Sequence, residues 1–326
     1  MKKIITFFVL FFLIFTTLSA LNSTEQEVKQ LNAWLTSEPV FNENLVDPQI
    51  ALLANQRSVN PSWEDLFEWA WAFSTIGDSG SDQKLKKKAH ELIVNGVQEI
   101  KATKPQTVEG LSRAVHNYLY RKVFTKYDDD QTRIDEVFLS GNFNCMSSSA
   151  LYMILAKAVG LKVNGVLTED HAYILAYNND GSIAVHIETT NKNFGIKVVN
   201  GKYSPQYSEW AILNDPVYFL STILRNRIAT KEEEDQIAES LTLLFNLMAC
   251  TENLLIEVIP SAPVPSDFLL NRVLYYAGIL IIAGEYEKSL DLLSLASGYY
   301  SENEEWLYFV YVAVNNSLAS YMYGGW

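Results

Sequence analysis

Only two cysteines occur in 326 residues, too few for a disulfide framework and too few for a four-sulfur zinc site. No structural metal and no cofactor is therefore expected. Basic residues are also scarce, 25 Lys and Arg against 38 Asp and Glu for a net charge of -13. That sign repels phosphates and anionic lipid, which argues against a broad nucleic-acid-binding surface. Glycine (15) and proline (9) are sparse, and 48% of the residues are hydrophobic against 19% charged, which excludes disordered, collagen-like and low-complexity classes. Long apolar runs are absent beyond the amino terminus: Leu269 to Ala283 contains Asn271 and Arg272 and stops early. What remains is a folded chain long enough for two domains, or for one domain with appended helices.

Met1-Lys2-Lys3 precedes an almost wholly apolar run from Ile4 to Leu18, then Ser19-Ala20 and polar Asn22, Ser23 and Thr24. A basic start, an apolar middle and a small residue before a polar stretch is the order of an export signal. Cleavage is expected near Ala20, which places the rest of the chain in the periplasm or outside the cell, with no membrane contact beyond that segment. Leu18 at the third position before the cut keeps an uncleaved anchor as the alternative.

Apolar residues recur at helical spacing in Leu66, Trp69, Ala70 and Phe73, in Ala89, Leu92, Ile93, Val97 and Ile100, and in Leu111, Val115 and Leu119. These predict two helices from Ser62 to Ala102 and a third over Val108 to Tyr120. Gly96 weakens the second, and Lys84, Lys86, Lys87 and Lys88 read as its solvated face. Asp128-Asp129-Asp130 lacks the alternating ligands and turn glycine of a calcium loop and reads as a solvated turn before a short helix at Ile134 to Leu139. The polar segment Gly141-Asn142-Phe143-Asn144-Cys145 then leads into a helix ending near Gly160, so Cys145 falls at a helix start.

His171 to Tyr177 and Ser182 to Thr190 are β-rich and separated by Asn178-Asn179-Asp180-Gly181, which predicts an antiparallel hairpin. A four-residue loop sets Tyr177 against Ser182, Ala172 against Ile187 and His171 against Glu188, so the imidazole and the carboxylate share a face. From Asn214 the helical pattern returns over Val217 to Ile228, Glu232 to Cys250, Leu269 to Ala283 and Tyr286 to Tyr299, with Ser261 to Pro265 as a stiff linker. Ala277, Gly284-Glu285-Tyr286, Leu293 and Ala296 match part of a tetratricopeptide-type helical hairpin in which Ser289 replaces the usual alanine.

A cysteine becomes a nucleophile when its thiolate is stabilised, which a helix amino terminus and an imidazolium both do. A carboxylate against the other ring nitrogen holds the imidazole in the tautomer that accepts the thiol proton. Cys145, His171 and Glu188 supply a nucleophile, a base and an orienting group in chain order. His186 shares parity with Glu188 and is the alternative base. His116, on a helix stripe, and Cys250, in an apolar run, read as core, although a Cys145 to Cys250 disulfide is permitted outside the cytoplasm.

From about Thr107 to Ile196 the chain resembles the transglutaminase-like superfamily of papain-related cysteine enzymes. The resemblance rests on Asp135-Glu136-Val137-Phe138-Leu139 before Gly141 to Cys145, on Asp170-His171-Ala172-Tyr173, and on His186-Ile187-Glu188-Thr189-Thr190. It implies Cys145 as nucleophile, His171 as base and Glu188 as third member, in place of the aspartate that most members carry. The oxyanion donors are expected from the Cys145 backbone N–H and from Asn142 or Asn144.

The expected architecture is α+β: a signal peptide over 1–20, an amino-terminal helical region over 21–104, a transglutaminase-like domain with a small antiparallel sheet over 105–215, and a helical, tetratricopeptide-like region over 216–326. The expected function is thiol-dependent acyl chemistry on peptide or carboxamide bonds of the cell envelope, hydrolysis being favoured over amine transfer. The rival is a catalytically inactive binding or scaffold protein that recruits a protein partner through its carboxy-terminal helices.

Overall fold

The computed structural model describes residues 29–31, 33, 46–58, 60–77, 82–168, 170–193, 195–198, 211–213, 215–251, 272–273, 275–280 and 285–298. The export segment, the Ser261 to Pro265 linker, Gly284 and the chain after 298 lie outside them. The described residues are mostly helical with a small antiparallel sheet, an α+β arrangement. No helix among them is long and apolar enough to cross a membrane. They divide into two compact units, one made of Asp47–Arg227, the other of the described residues before Asp47 and from Ile228 onward.

In the first unit the helices are α1 (Pro48–Asn55), α2 (Trp63–Thr75), α3 (Gln83–Ala102), α4 (Val108–Lys122), α5 (Ile134–Ser140), α6 (Cys145–Val159) and α7 (Pro216–Leu220). Their starts follow the side chains that can accept from free amides. Ser62 and Asp65 form a reciprocal capping box on α2, Asp82 caps α3, Thr107 caps α4 and Asn144 caps α6. Gly96 has a positive role: a Cβ there would lie 2.7 Å from the Tyr118 ring. The missing side chain lets α4 approach α3 closely enough for the Tyr118 hydroxyl to donate to Leu92 O at 2.7 Å.

From Asp47 the amino-terminal helices lie in the same compact unit as the sheet, and that unit runs to Arg227. The physical reason is that α2 is buried all round, through Leu66, Phe67, Trp69, Trp71 and Phe73, as a helix must be when it packs inside a core and not along its edge. Arg227 closes its carboxy end by donating to Phe73 O at 2.9 Å and Ile76 O at 2.8 Å.

Two short parallel strands, β1 (Lys126–Tyr127) and β2 (Asn142–Phe143), pair Tyr127 with Phe143 and so lay the aspartate turn against the approach to Cys145. The main sheet holds β3 (Lys162–Leu167), β4 (Ala172–Tyr177), β5 (Ile183–Ile187), β6 (Ile196–Val198) and β7 (Ala211–Leu213) in the order β6-β5-β4-β3-β7. Only β4 and β5 are the predicted hairpin. Their register is two residues off the expectation: Ile174, not Ala172, faces Ile187, and Leu175 faces His186. The cause is local, since Tyr177 pairs with Ile183 and the turn therefore spans 178–182, with a further irregularity between Ala176 and Tyr177. The shift is even over Ile174 to Ala176, which leaves those side chains on their predicted face, and is one residue at the Tyr177–Ile183 pair.

Helix α6 packs against β3 and β4 and against α2, α3 and α4. Met146, Leu151, Met153, Ile154 and Leu155 are all buried, each contributing roughly 1.5–3 kcal/mol by leaving water. That anchorage far exceeds anything the single sulfur of Cys145 adds, so the helix start is a rigid platform.

The expected helix over Val217 to Ile228 is instead α7 and α8 (Thr222–Glu233), separated at Ser221, whose hydroxyl donates to Tyr218 O at 2.7 Å; α8 begins in the first unit and ends in the second. Helix α9 (Ile237–Thr251), the helical residues 275–280 and α10 (Tyr286–Gly298) follow. Ala277 and Leu293 are buried. Ser289, also buried, donates to Ala277 O at 3.1 Å, which is how a hydroxyl is satisfied where the pattern asks for alanine. Cys250 is buried with its thiol on Asn246 O at 3.0 Å, and both cysteines are free thiols.

Candidate active site

Cys145 is the first residue of α6, and its side chain is partly accessible. The turn before it is tightly specified. Asn144 Oδ1 accepts from Met146 N at 2.9 Å and Ser147 N at 3.0 Å, its Nδ2 donates to Asp129 O at 3.0 Å, and Ser147 Oγ caps the Asn144 amide at 3.0 Å. Asn142 Nδ2 donates to Asp128 Oδ2 at 3.3 Å. Both asparagines are thus engaged in bracing the loop, and the Cys145 N–H is the first-turn donor left without an intrahelical acceptor.

His171 sits one residue before β4, held in sheet register because Thr168 N donates to His171 O at 2.8 Å. Its Nε2 is 2.8 Å from Glu188 Oε2, and Cys145 is near enough to act on the same ring. With Nε2 on the carboxylate, Nδ1 is the ring atom left to face the sulfur. One step beyond the Ile174–Ile187 pair, Glu188 falls level with Tyr173, so it reaches His171 diagonally along the same face. A glutamate spans that diagonal.

Glu188 Oε1 accepts from Thr190 N at 3.2 Å and Thr190 Oγ1 at 2.7 Å, so both carboxylate oxygens are occupied. Burial pushes the Glu188 carboxyl upward, but the bond to His171, its positive charge and the two Thr190 donors outweigh it and hold the group below the usual range. For His171 burial disfavours the charge. Hydrogen bonds to Cys145 and Glu188 and the negative charges of both override it and push the imidazole up to about 10.

His186 has a different environment. It is 3% exposed, and its ring lies flat on Tyr173, centroids 4.5 Å apart and planes 5° apart. Burial is the main cause that lowers it to about 4. It is neutral at physiological pH and backs the His171–Glu188 pair across the Tyr173 ring, whose centroid is 6.3 Å from that of His171.

No family model matches the chain, and no curated protein does. One solved structure, of menin with the binding site for the Mixed Lineage Leukemia protein, is similar over 81% of this chain and 74% of its own, at 15% identity and a TM-score of 0.37. A likeness at that level identifies neither a family nor an activity, and the chemistry has to be read from the site itself.

Several residues of the site carried no signal in the sequence. Gly195 accepts from Glu188 N through its carbonyl at 2.6 Å. A Cβ there would run into Glu188 O, Asn191 O and the His116 ring. His116, expected as core, is buried beneath this turn, and burial lowers its pKa against the pull of the Asn191 and Glu188 carbonyls. Tyr120 donates to Thr189 O at 2.8 Å, and its ring joins those of Phe124 and Phe143 under the approach to Cys145. Tyr127 stands at the mouth, 41% exposed. Burial first, then nearby Asp129 and the charge of Cys145, raise its pKa. Among the described residues no group of three His, Cys, Asp or Glu is arranged to hold a metal ion.

The arrangement is chemically complete for proton transfer. A thiol at a helix amino terminus, a ring nitrogen beside it and a carboxylate on the far ring nitrogen can pass one proton and stabilise the charges this creates.

Proposed function

We propose that this chain is a transglutaminase-like cysteine enzyme that carries out thiol-dependent acyl chemistry on peptide or carboxamide bonds. One observation carries the reading: His171 Nε2 meets Glu188 at 2.8 Å while Cys145, at the start of α6, acts on the same imidazole. His171 takes the thiol proton and the sulfur attacks the carbonyl carbon, with the Cys145 N–H at the developing oxyanion. As the tetrahedral intermediate collapses the carbon–nitrogen bond breaks, and His171 returns the proton to the departing amine. Water then loses a proton to His171 and attacks the thioester, releasing a carboxylic acid and the thiol; an amine in place of water gives transfer.

The contact of Glu188 with His171 supports the enzyme reading over the binding-protein rival. His171 is the base of this reaction in preference to His186, which burial holds neutral. Export through residues 1–20 places the substrate in the cell envelope, and the carboxy-terminal helices would engage a protein partner. The test is turnover of envelope peptides and carboxamides by the mature protein, with Cys145→Ala as control. Loss of turnover in that variant supports the proposal; equal turnover by both proteins refutes it. Amino-terminal sequencing of protein made with its native start should begin near Leu21.

A further inference from the structure

The hydroxyls of Ser148, Ser149 and Thr189 meet in one buried cluster. Thr189 Oγ1 is 2.8 Å from Ser148 Oγ and 2.9 Å from Ser149 Oγ, and none of the three residues is more than 1% exposed. Each contact leads to a different member of the candidate site. Ser148 and Ser149 lie one turn beyond Cys145 on α6, Thr189 follows Glu188 directly, and Ser149 Oγ is 3.2 Å from the carbonyl of Ala172, the residue after His171.

Counting protons orders the cluster, because each hydroxyl donates once. Ser148 donates to Asn144 O at 2.6 Å, so it accepts from Thr189. Ser149 then shares its one proton between Thr189 Oγ1 at 2.9 Å and the longer contact to Ala172 O at 3.2 Å. Thr189 is the only one of the three that both gives to one serine and receives from the other, and its carbonyl is fixed separately by Tyr120. In a dry environment such a network has little slack, since each bond lost leaves a buried polar group unsatisfied.

We propose that Thr189 is a positioning residue, its hydroxyl the common point from which Cys145, His171 and Glu188 are set relative to one another. This rests on the cysteine-enzyme reading above. Valine has the shape of threonine without the hydroxyl, whereas serine keeps the hydroxyl, so the two substitutions separate packing from hydrogen bonding.

The test is the rate of Cys145 alkylation by iodoacetamide against pH in full-length Cys250→Ala protein, alone and with Thr189→Val or Thr189→Ser. A misplacement of the order of 1 Å costs about a hundredfold in a reactive geometry, so Thr189→Val should slow alkylation at pH 6 by at least about tenfold and move the midpoint of the curve. Thr189→Ser should stay within about threefold with the original midpoint. A folded Thr189→Val protein with the parent curve overturns the proposal and leaves the enzyme reading standing. Should Thr189→Val fail to fold, Ser148→Ala and Ser149→Ala carry the same comparison, and parent curves in both overturn it. A parent in which native Cys145 reacts no faster than in the urea-unfolded chain overturns the enzyme reading itself, before any Thr189 variant is compared.

Discussion

Glu188→Gln preserves the shape of the side chain and removes its charge, and the site dictates how the new amide must lie. Thr190 N–H can only donate, and it points at Glu188 Oε1 from 3.2 Å with the Thr190 hydroxyl at 2.7 Å on the same atom. The glutamine oxygen is therefore pinned on Thr190, and its NH2 group faces His171 Nε2. Two donors cannot meet, so the imidazole is driven to the neutral tautomer with its proton on Nδ1, where it can no longer take one from Cys145. A hydrogen bond to a charged group is worth about 1.5–3 kcal/mol, so the proton-transferred pair becomes roughly 10- to 150-fold rarer at pH 6. The His171 pKa, pushed up to about 10 in the intact site, falls back toward the ordinary histidine range. The assay combines iodoacetamide alkylation at pH 6 with NMR titration of the His171 ring, and circular dichroism verifies the fold. A folded Glu188→Gln protein that alkylates at the parent rate, with an unmoved imidazole titration, refutes the role given to the carboxylate.

Cys145→Ala should change unfolding free energy by no more than about 1 kcal/mol, because little volume leaves a helix anchored by many larger side chains; urea titration measures it. Gly195→Ala should destabilise by about 1–3 kcal/mol, since its Cβ meets the Glu188 and Asn191 carbonyls and the His116 ring, and should slow Cys145 alkylation as well. Stability should peak near pH 6.5. Below that, His186 is held at about 4 in the native state against 6.5 unfolded, so the unfolded chain binds more protons and stability rises with pH by up to about 3 kcal/mol. Above it, the raised His171 works in the opposite sense, its contribution being full below 6.5 and lost as pH climbs toward about 10. Urea midpoints at pH 4.5, 6.5 and 9 check the curve, and His186→Leu should flatten its acid limb.

The face shared by His171 and Glu188 was legible in the sequence because strand parity survives an error of two residues. The register itself was not. A turn spanning 178–182 and the irregularity beside Tyr177 depend on backbone geometry that Asn178 to Gly181 does not specify. Strand β3 went unread because Asn164 and Gly165 interrupt a short apolar run, and β6 and β7, at three residues each, are too short for any periodicity. Cys145 was visible as a helix start because Asn144 is a strong capping residue. That Asn142 and Asn144 also brace the loop is not legible, since a sequence displays the amides and not the Asp128 and Asp129 contacts they make. Ser148, Ser149 and Gly195 give no signal, because small residues act through what packs around them, and those partners come from distant parts of the chain.

The most direct measurement is the alkylation rate of Cys145 at pH 6 in native protein compared with the same cysteine in the urea-unfolded chain. Folding ordinarily slows the labelling of a thiol by covering it, and Cys145 is only partly accessible. The helix amino terminus and the His171–Glu188 pair should reverse that order, making the native thiol faster by about tenfold or more. A native rate equal to or below the unfolded one would contradict the account and leave Cys145 a structural residue.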